Sequence, residues 1–141
     1  MLQYPPTTSL PPIIISEADE NRLTALATTA MLTGRSHEAA RVLLAEMERA
    51  EVVSNHAVPA DAVRMHSLAE FAVDGGTPRR VQLVFPGEAN IDQNKISILT
   101  PIGAALIGLS RGQSMLLNGQ DGRPHRLTVL TVAPALELAI A

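Results

Sequence analysis

The chain has 141 residues and a net charge of −3, and its length predicts one domain plus an appendage, or two small units. It has no cysteine, which excludes disulfide and thiolate chemistry. Aromatic residues make up only 2%, which argues against an aromatic-lined small-molecule pocket and against base stacking on single-stranded nucleic acid. The 11 basic residues form no run and are outnumbered by 14 acidic ones, so we expect no direct nucleic-acid binding. No segment has a leader-peptide pattern or the about 20 apolar residues of a membrane span. We therefore expect a soluble, cytoplasmic protein that makes no membrane contact.

The N-terminal part is predicted to be an extended arm followed by a helix. Residues 1–12 contain four prolines, a composition typical of a flexible segment. After the apolar run 13–15, Ser16 is placed to cap a helix whose first turn carries acidic residues, which the helix dipole favours. Apolar residues then recur at spacings of three and four, as on one face of a helix: Leu23, Leu26, Ala27, Ala30 and Met31.

A second helix follows a turn that contains glycine. Ser36 is placed to cap this helix, which is predicted to run to about Glu51 with one apolar face: Ala40, Leu43, Leu44, Met47 and Ala50. Residues 13–52 are thus predicted to form a short antiparallel helical hairpin, a coiled coil of ~22–25 Å at ~1.5 Å per residue. Its tip comprises Gly34, Arg35, Ser36 and His37. The hairpin either projects or, because helices this short rarely stand alone, packs onto the rest of the chain.

Residues 53–141 are predicted to form a domain with an antiparallel sheet and one short helix, so the fold class is α+β. Residues 52–60 are interpreted as a connector, and strands are predicted near 62–67, 70–73, 79–85, 96–98, 115–117 and 127–132. The short helix begins where Thr100 can cap it and Pro101 needs no amide partner. This helix is almost wholly apolar, so it must be buried against the sheet. The apolar tail 133–141 slightly favours self-association.

No set of residues predicts catalysis. The four histidines lie in different elements, and none has the one-turn spacing of a helical metal site: His37, His56, His66 and His125. No serine lies in a nucleophile-elbow pattern, and there is no phosphate-binding loop. Glu88 and Asp92 share a loop that can be interpreted as a cation site or, more simply, as a solvated loop. We predict a protein that is not an enzyme and holds no cofactor and no metal.

The central stretch resembles a known family. Residues 95–108 read Lys-Ile-Ser-Ile-Leu-Thr-Pro-Ile-Gly-Ala-Ala-Leu-Ile-Gly, and Gly112-Gln113-Ser114 follow. This order of strand, Thr-Pro entry, short helix and turn resembles the C-terminal domain of the bacterial Gre transcript-cleavage factors, which has an FKBP-like fold. The triple isoleucine at 13–15, the short hairpin, the Met-His-Ser strand and Val84-Phe85-Pro86 are most similar to the family of the regulator of nucleoside diphosphate kinase, called Rnk. The resemblance covers about residues 13–133.

The resemblance implies binding to RNA polymerase rather than catalysis. Gre factors dock their globular domain at the rim of the polymerase secondary channel and insert a long coiled coil whose acidic tip helps to hold a catalytic magnesium ion. Here the tip has no carboxylate before Glu38, Arg35 would repel a cation, and the hairpin is shorter. By the match to the family's docking segment, Leu99, Thr100 and Pro101 lie at the polymerase-facing edge. Simple capping also accounts for Thr100 and Pro101.

Several functions follow as alternatives. The favoured one is a monomeric RNA polymerase-binding regulator that docks near the secondary channel without stimulating cleavage and affects nucleoside diphosphate kinase levels indirectly. The others are an active cleavage and elongation factor, an oligomerisation module, and a prolyl isomerase that the FKBP-like fold alone suggests. The isomerase is disfavoured because two phenylalanines cannot line its aromatic pocket.

Overall fold

The structure, a computed structural model, describes residues 10–119 and 121–134. Two N-terminal helices precede a curled, mostly antiparallel five-stranded sheet that holds one short helix, which confirms the predicted α+β class. The helices are α1 (Glu17–Thr33), α2 (His37–Arg49) and α3 (Pro101–Leu106). The strands are β1 (Ile14–Ser16), β2 (Glu51–Val53), β3 (Leu68–Val73), β4 (Arg79–Val84), β5 (Lys95–Ser97), β6 (Ser114–Asn118) and β7 (Pro124–Ala133).

Two predicted segments lie partly outside the described residues. They are the arm at 1–12, of which residues 1–9 lie outside, and the apolar tail, which lies outside from residue 135. Among the helices that the structure describes, none is long and apolar enough to cross a membrane.

The main sheet has the strand order β5-β4-β3-β7-β6. Neighbouring strands are antiparallel, as where Leu68 lies opposite Gln82, except that β4 and β5 run parallel, with Leu83 opposite Ile96. Parallel strands need a crossover connection, and the loop predicted around Glu88 and Asp92 supplies it with two short 3-10 turns, Pro86–Glu88 and Ile91–Gln93. The sequence predicted this loop but not the parallel pairing.

A second, two-stranded sheet closes the base of the helical pair. β1 and β2 run parallel, with Ile15 opposite Val52, so the chain enters α1 and leaves α2 at the same end. Ile14 N donates to Gly108 O at 3.2 Å, which ties this small sheet to the main domain. Gly108 has φ +80°, and a β-carbon there would lie 2.8 Å from Ile13 Cβ, so the close approach requires glycine.

One continuous core joins the helical pair to the sheet. Leu23 of α1 and Leu43 of α2 belong to the same buried cluster as Phe71 of β3. α2 packs along α3, and its third residue, Ala39, is already buried. The buried Asp19 carboxylate accepts a hydrogen bond from Met65 N at 3.1 Å, which fastens α1 to the segment before β3. The helical pair therefore lies against the domain along most of its length rather than projecting from it.

Local predictions differ in outcome. The cap at Ser16 is confirmed, because Asp19 N donates to Ser16 Oγ at 3.1 Å. The cap at Ser36 is wrong: this residue has left-handed backbone angles (φ 48°, ψ 44°) and its side chain makes no capping hydrogen bond. Residues 62–67 form no regular strand, since Ala62 makes only an isolated bridge and His66 has φ 73°. α2 ends at Arg49 because Glu51 and the start of the predicted connector pair with β1 instead.

Candidate docking site

The junction between β5 and α3 is held by two short polar side chains. Ser97 Oγ accepts from Leu99 N at 3.0 Å, while Thr100 Oγ1 donates to Ser97 O at 2.7 Å and accepts from Gly103 N at 3.1 Å. A β-carbon on Gly103 would lie 2.2 Å from Ser97 O, so the helix rests directly on the end of the strand. The junction is therefore a fixed geometry that depends on the absence of a side chain at Gly103.

An open groove of about 630 Å³ begins at this junction. Four segments that are distant in sequence form it: the start of β4, the loop 89–94 with β5, the first turn of α3, and the end of β6 with its turn. Its volume lies within the ~300–1,000 Å³ range of ligand-binding clefts. The lining residues are Arg79, Ala89, Ile91, Asn94, Lys95, Ile96, Ser97, Thr100, Pro101, Ile102, Leu117, Asn118 and Gly119.

The structure separates the three residues predicted at the polymerase-facing edge. Thr100 and Pro101 line the groove, whereas Leu99 is half-buried and packs against the core. Pro101 also borders a second groove of about 330 Å³ between α2 and α3, where Glu38 and Arg41 form the opposite wall. A docking role for the three residues stays a prediction. Of the three, Thr100 and Pro101 are the ones that a partner in the groove could contact.

Two basic residues border the first groove, and they lie on opposite faces of the β4–β5 pair, because Lys95 is opposite Gln82. Arg79 and Lys95 line it, and no carboxylate is among its lining residues. Within residues 10–119 and 121–134, neither residue forms a salt bridge, although the charge of Lys95 contributes to lowering the pKa of Glu88. The Arg79 guanidinium carbon lies 5.5 Å from the centroid of the Phe71 ring, an arrangement that favours one position of this side chain.

A cluster around Phe85 supports the loop that forms one wall of the groove. Glu88 Oε1 accepts from Phe85 N at 3.1 Å and lies 2.8 Å from His66 Nε2, and these contacts hold the pKa of Glu88 below its usual value, the His66 contact most. The Arg22 guanidinium carbon of α1 lies 4.2 Å from the Phe85 ring centroid. Glu88 is thus engaged by protein groups. The part of the chain that the structure describes holds no group of three or more metal-binding side chains placed to share an ion.

A second titratable cluster fastens the β3–β4 turn to the β6–β7 turn. His125 Nδ1 lies 2.6 Å from Asp74 Oδ2, and His125 Nε2 lies 3.1 Å from Asp121 Oδ1. Hydrogen bonds to Asp74 and then Asp121 raise the pKa of His125. The pKa values of both carboxyls are lowered, that of Asp74 mainly by Arg126 N and that of Asp121 mainly by Arg123 N. Both ring nitrogens are occupied, so this histidine stabilises turns and is not placed as a free acid or base.

The predicted tip of the hairpin lies apart from the groove. Gly34, Arg35, Ser36 and His37 are all exposed, and none lines either groove. Gly34 ends α1 in the left-handed conformation, with its N–H directed at the carbonyls of Ala30 and Met31. The first carboxylate after the tip, Glu38, pairs with Arg41. The tip thus presents cationic and neutral groups.

Sequence reasoning missed Arg79, Lys95 and Ile91 as groove residues. Strand alternation offered one signal, because it places Arg79 on the same face of β4 as the buried Val81 and Leu83. No comparable pattern in the sequence predicts that the loop 89–94 lies near the turn after β6. β5 and β6 are the two edge strands of the main sheet, so that neighbourhood depends on the curl of the whole sheet.

Comparisons with known proteins identify both parts of the chain. The Rnk N-terminus family matches residues 11–53, and the family described as transcription elongation factor GreA/GreB, C-terminal, matches residues 58–134. The regulator of nucleoside diphosphate kinase from Escherichia coli K12 is 34% identical over 123 residues, which are 86% of this chain and 89% of that protein. GreA from Syntrophus aciditrophicus is 47% identical over 47 residues, 33% of this chain and 29% of its own.

A solved structure agrees with these matches. The transcription elongation factor GreA/GreB from Nitrosomonas europaea superposes with a TM-score of 0.67 and 34% identity, over 87% of this chain and 98% of the other. These relatives are regulators or transcription factors rather than catalysts. The chain therefore belongs to the Rnk family of regulators of nucleoside diphosphate kinase, with a C-terminal domain of the GreA/GreB type.

Proposed function

We propose that this protein is a transcription regulator that binds RNA polymerase near the secondary channel and does not stimulate transcript cleavage. The observation that carries the proposal is the Gre-type domain at residues 58–134, in which the family's docking segment borders an open groove at Thr100 and Pro101. Gre factors reach the rim of the channel through this domain. This role requires no cofactor or metal of its own. We propose that the protein acts as a monomer in the cytoplasm.

The helical pair supports the part of the proposal that concerns cleavage. Hard cations such as Mg²⁺ are bound by oxygen ligands, and the tip offers Arg35 and His37 where cleavage factors carry acids. Ala39 and Leu43 are buried, so the pair has little free length with which to reach an active site. Charge and length both favour docking without chemistry at the polymerase centre.

The name of the Escherichia coli relative refers to nucleoside diphosphate kinase. We propose that any effect of this protein on such a kinase is indirect, through the expression of its gene. Under this proposal the purified kinase keeps its rate when the purified regulator is added, and a changed rate would point to a direct contact.

A binding measurement with core RNA polymerase tests the docking. We expect the purified protein to be retained by immobilised core polymerase, and Pro101→Arg to weaken retention roughly tenfold, because it places a long side chain at an exposed residue that the docked partner would cover. Pro59→Arg makes the same chemical change at an exposed position that does not line the groove and is the control. Failure of retention under conditions that retain a Gre factor would contradict the proposal.

A further inference from the structure

We propose that the second groove, of about 330 Å³ between α2 and α3, binds this chain's own N-terminal arm, with Tyr4 as the side chain that fills it. The bound arm would also cover Pro101, which lines both grooves, and so would act as an inhibitory segment. The contact within the chain is independent of any partner. Only its inhibitory effect rests on the proposed function.

The course of the chain at the end of α2 is the first argument. Glu51 N donates to Ile13 O at 2.9 Å. Two residues earlier on both segments, Arg49 Nη1 donates to Pro11 O at 2.5 Å, and the same guanidinium bonds both carboxylate oxygens of Glu46. Followed backwards from Ile13, the chain therefore moves onto α2 and towards its N-terminal end. The described part of the chain begins one residue before Pro11.

The face of α2 that this path follows leads to the second groove. Arg49, Val42 and Glu38 share one face of the helix, because they are spaced by seven and four residues. Val42 and Glu38 line the groove. The seven residues from Pro11 back to Tyr4 span up to ~22 Å as a polyproline helix, and the eleven from Arg49 back to Glu38 span ~17 Å. Tyr4 can therefore reach the groove.

The chemistry of the groove suits an uncharged aromatic side chain. Its two charged lining residues, Glu38 and Arg41, pair with each other. Residues 1–9 have no charged side chain, and Tyr4 is the only tyrosine of the chain. Its ring would cover apolar surface that is open to water, including Leu116, which is 45% exposed. Aliphatic side chains from α2, α3 and β6 line the groove: Ala39, Val42, Ala105, Met115, Leu116 and Leu117.

The arm precedes both parts of the chain that match known families. Those matches cover residues 11–53 and 58–134, so residues 1–10 lie outside them. The inference therefore depends on this chain's own arm and on the path that Pro11 sets for it.

Tyrosine fluorescence tests the contact in the full chain, because Tyr4 is the only tyrosine and there is no tryptophan. Acrylamide quenching compares the wild type with Leu116→Glu and with the control Leu32→Glu. Leu32 is 83% exposed and lines neither groove. The quenching constant should rise roughly twofold or more in Leu116→Glu, which empties the groove, and stay unchanged in Leu32→Glu. Equal constants in all three proteins would overturn the inference.

Both variants should fold like the wild type. Each changes an exposed leucine, and Arg126 lies opposite Leu116 in the β6–β7 pairing, where it can pair with the new carboxylate. Thermal unfolding checks this expectation before the quenching is compared.

Nuclear Overhauser contacts in the wild type give a direct second measurement. The ring protons of Tyr4 should contact the methyl groups of Val42 and Leu116. Absence of these contacts, or contacts to Ile102 in the first groove instead, would overturn the inference. Light scattering checks another occupant: a wild-type dimer that Leu116→Glu dissolves would show that a second copy fills the groove, which also overturns it.

Tyr4→Ser tests the inhibitory effect, with Gln3→Ser as the control in the same arm. Because the bound arm reduces the fraction of molecules that can dock, Tyr4→Ser should bind core polymerase roughly threefold tighter or more, and Gln3→Ser like the wild type. Equal affinity of Tyr4→Ser and the wild type would overturn the inhibitory role. If the wild type fails to bind polymerase, the proposed function fails, while quenching and Overhauser contacts still decide whether the arm fills the groove.

Discussion

Gly103 is the residue on which the groove junction depends most directly. A β-carbon there would lie 2.2 Å from Ser97 O and 2.9 Å from Ile98 Cα, both backbone atoms that cannot rotate away. We expect Gly103→Ala to lower the free energy of unfolding by about 1–3 kcal/mol, as overpacking typically does. Gly87→Ala is the control, because a β-carbon added at Gly87 would have no neighbour within 4 Å. Denaturant unfolding of the two variants checks this, and equal stability would contradict the close approach.

His125 is predicted to titrate above its ordinary pKa of 6.5, since Asp74 and Asp121 stabilise the imidazolium. Its contribution to stability is present below pH 6.5 and is lost as pH rises through the higher folded pKa. The two carboxyls have lowered pKa values and act in the other direction. Their contribution to stability is present above pH 3.8 and is lost as pH falls through their folded pKa values. The cluster should therefore stabilise the two turns most between about pH 4 and 6.5.

An NMR titration of the imidazole checks this prediction. The His125 midpoint should lie above 6.5 in the wild type and fall in Asp74→Asn, which removes the charge of the closest carboxylate. An unchanged midpoint in that variant would show that the contact does not persist in solution.

Among the elements, α1 and α2 are each preceded by a serine, but only one of the two serines caps its helix through the side chain. Ser16 has extended backbone angles and accepts from Asp19 N, whereas Ser36 is left-handed and makes no capping bond through its side chain. Ser16→Ala should lower the free energy of unfolding by ~0.5–2 kcal/mol, and Ser36→Ala should leave it nearly unchanged. Thermal unfolding compares the two. A similar loss in both variants would contradict the difference in capping.

The elements that the sequence predicted correctly are those set by local chemistry. The apolar spacing of α1, the Thr100–Pro101 entry to α3 and the alternation in β4 all act within a few residues. Ser36 was mispredicted because its cap depends on backbone angles that the turn after Gly34 imposes. Residues 62–67 have strand-like composition, yet Val63 N bonds to Leu109 O and His66 N to Leu83 O, so their partners are in different elements.

The groove could be predicted only in part, because it depends on long-range pairing. Thr100 and Pro101 were recognised from their position in the family motif. The pairing of β1 with β2 and of β4 with β5 is parallel, and such contacts join residues that no local periodicity connects. The β4–β5 pairing sets Lys95 opposite Gln82, and so on the other face of these strands from Arg79.

In the whole molecule, the helical pair and the sheet share one core and should unfold together. Leu43 of α2 is fully buried in the same cluster as Phe71 of β3. We expect Leu43→Ala to lower the global free energy of unfolding by ~2–5 kcal/mol. Amide exchange at Phe71 should accelerate by the corresponding factor. If exchange in β3 stayed unchanged while α2 was destabilised, the helical pair would be an independent unit.

Docking without cleavage is the central claim for the whole molecule, and competition on stalled elongation complexes tests it most directly. Complexes that contain a Gre cleavage factor are titrated with this protein, and the release of short 3′ RNA fragments is measured over time. We predict that fragment release by the Gre factor falls as this protein is added, and that this protein alone releases none. Undiminished release at saturating protein, or fragments released by this protein alone, would contradict the account.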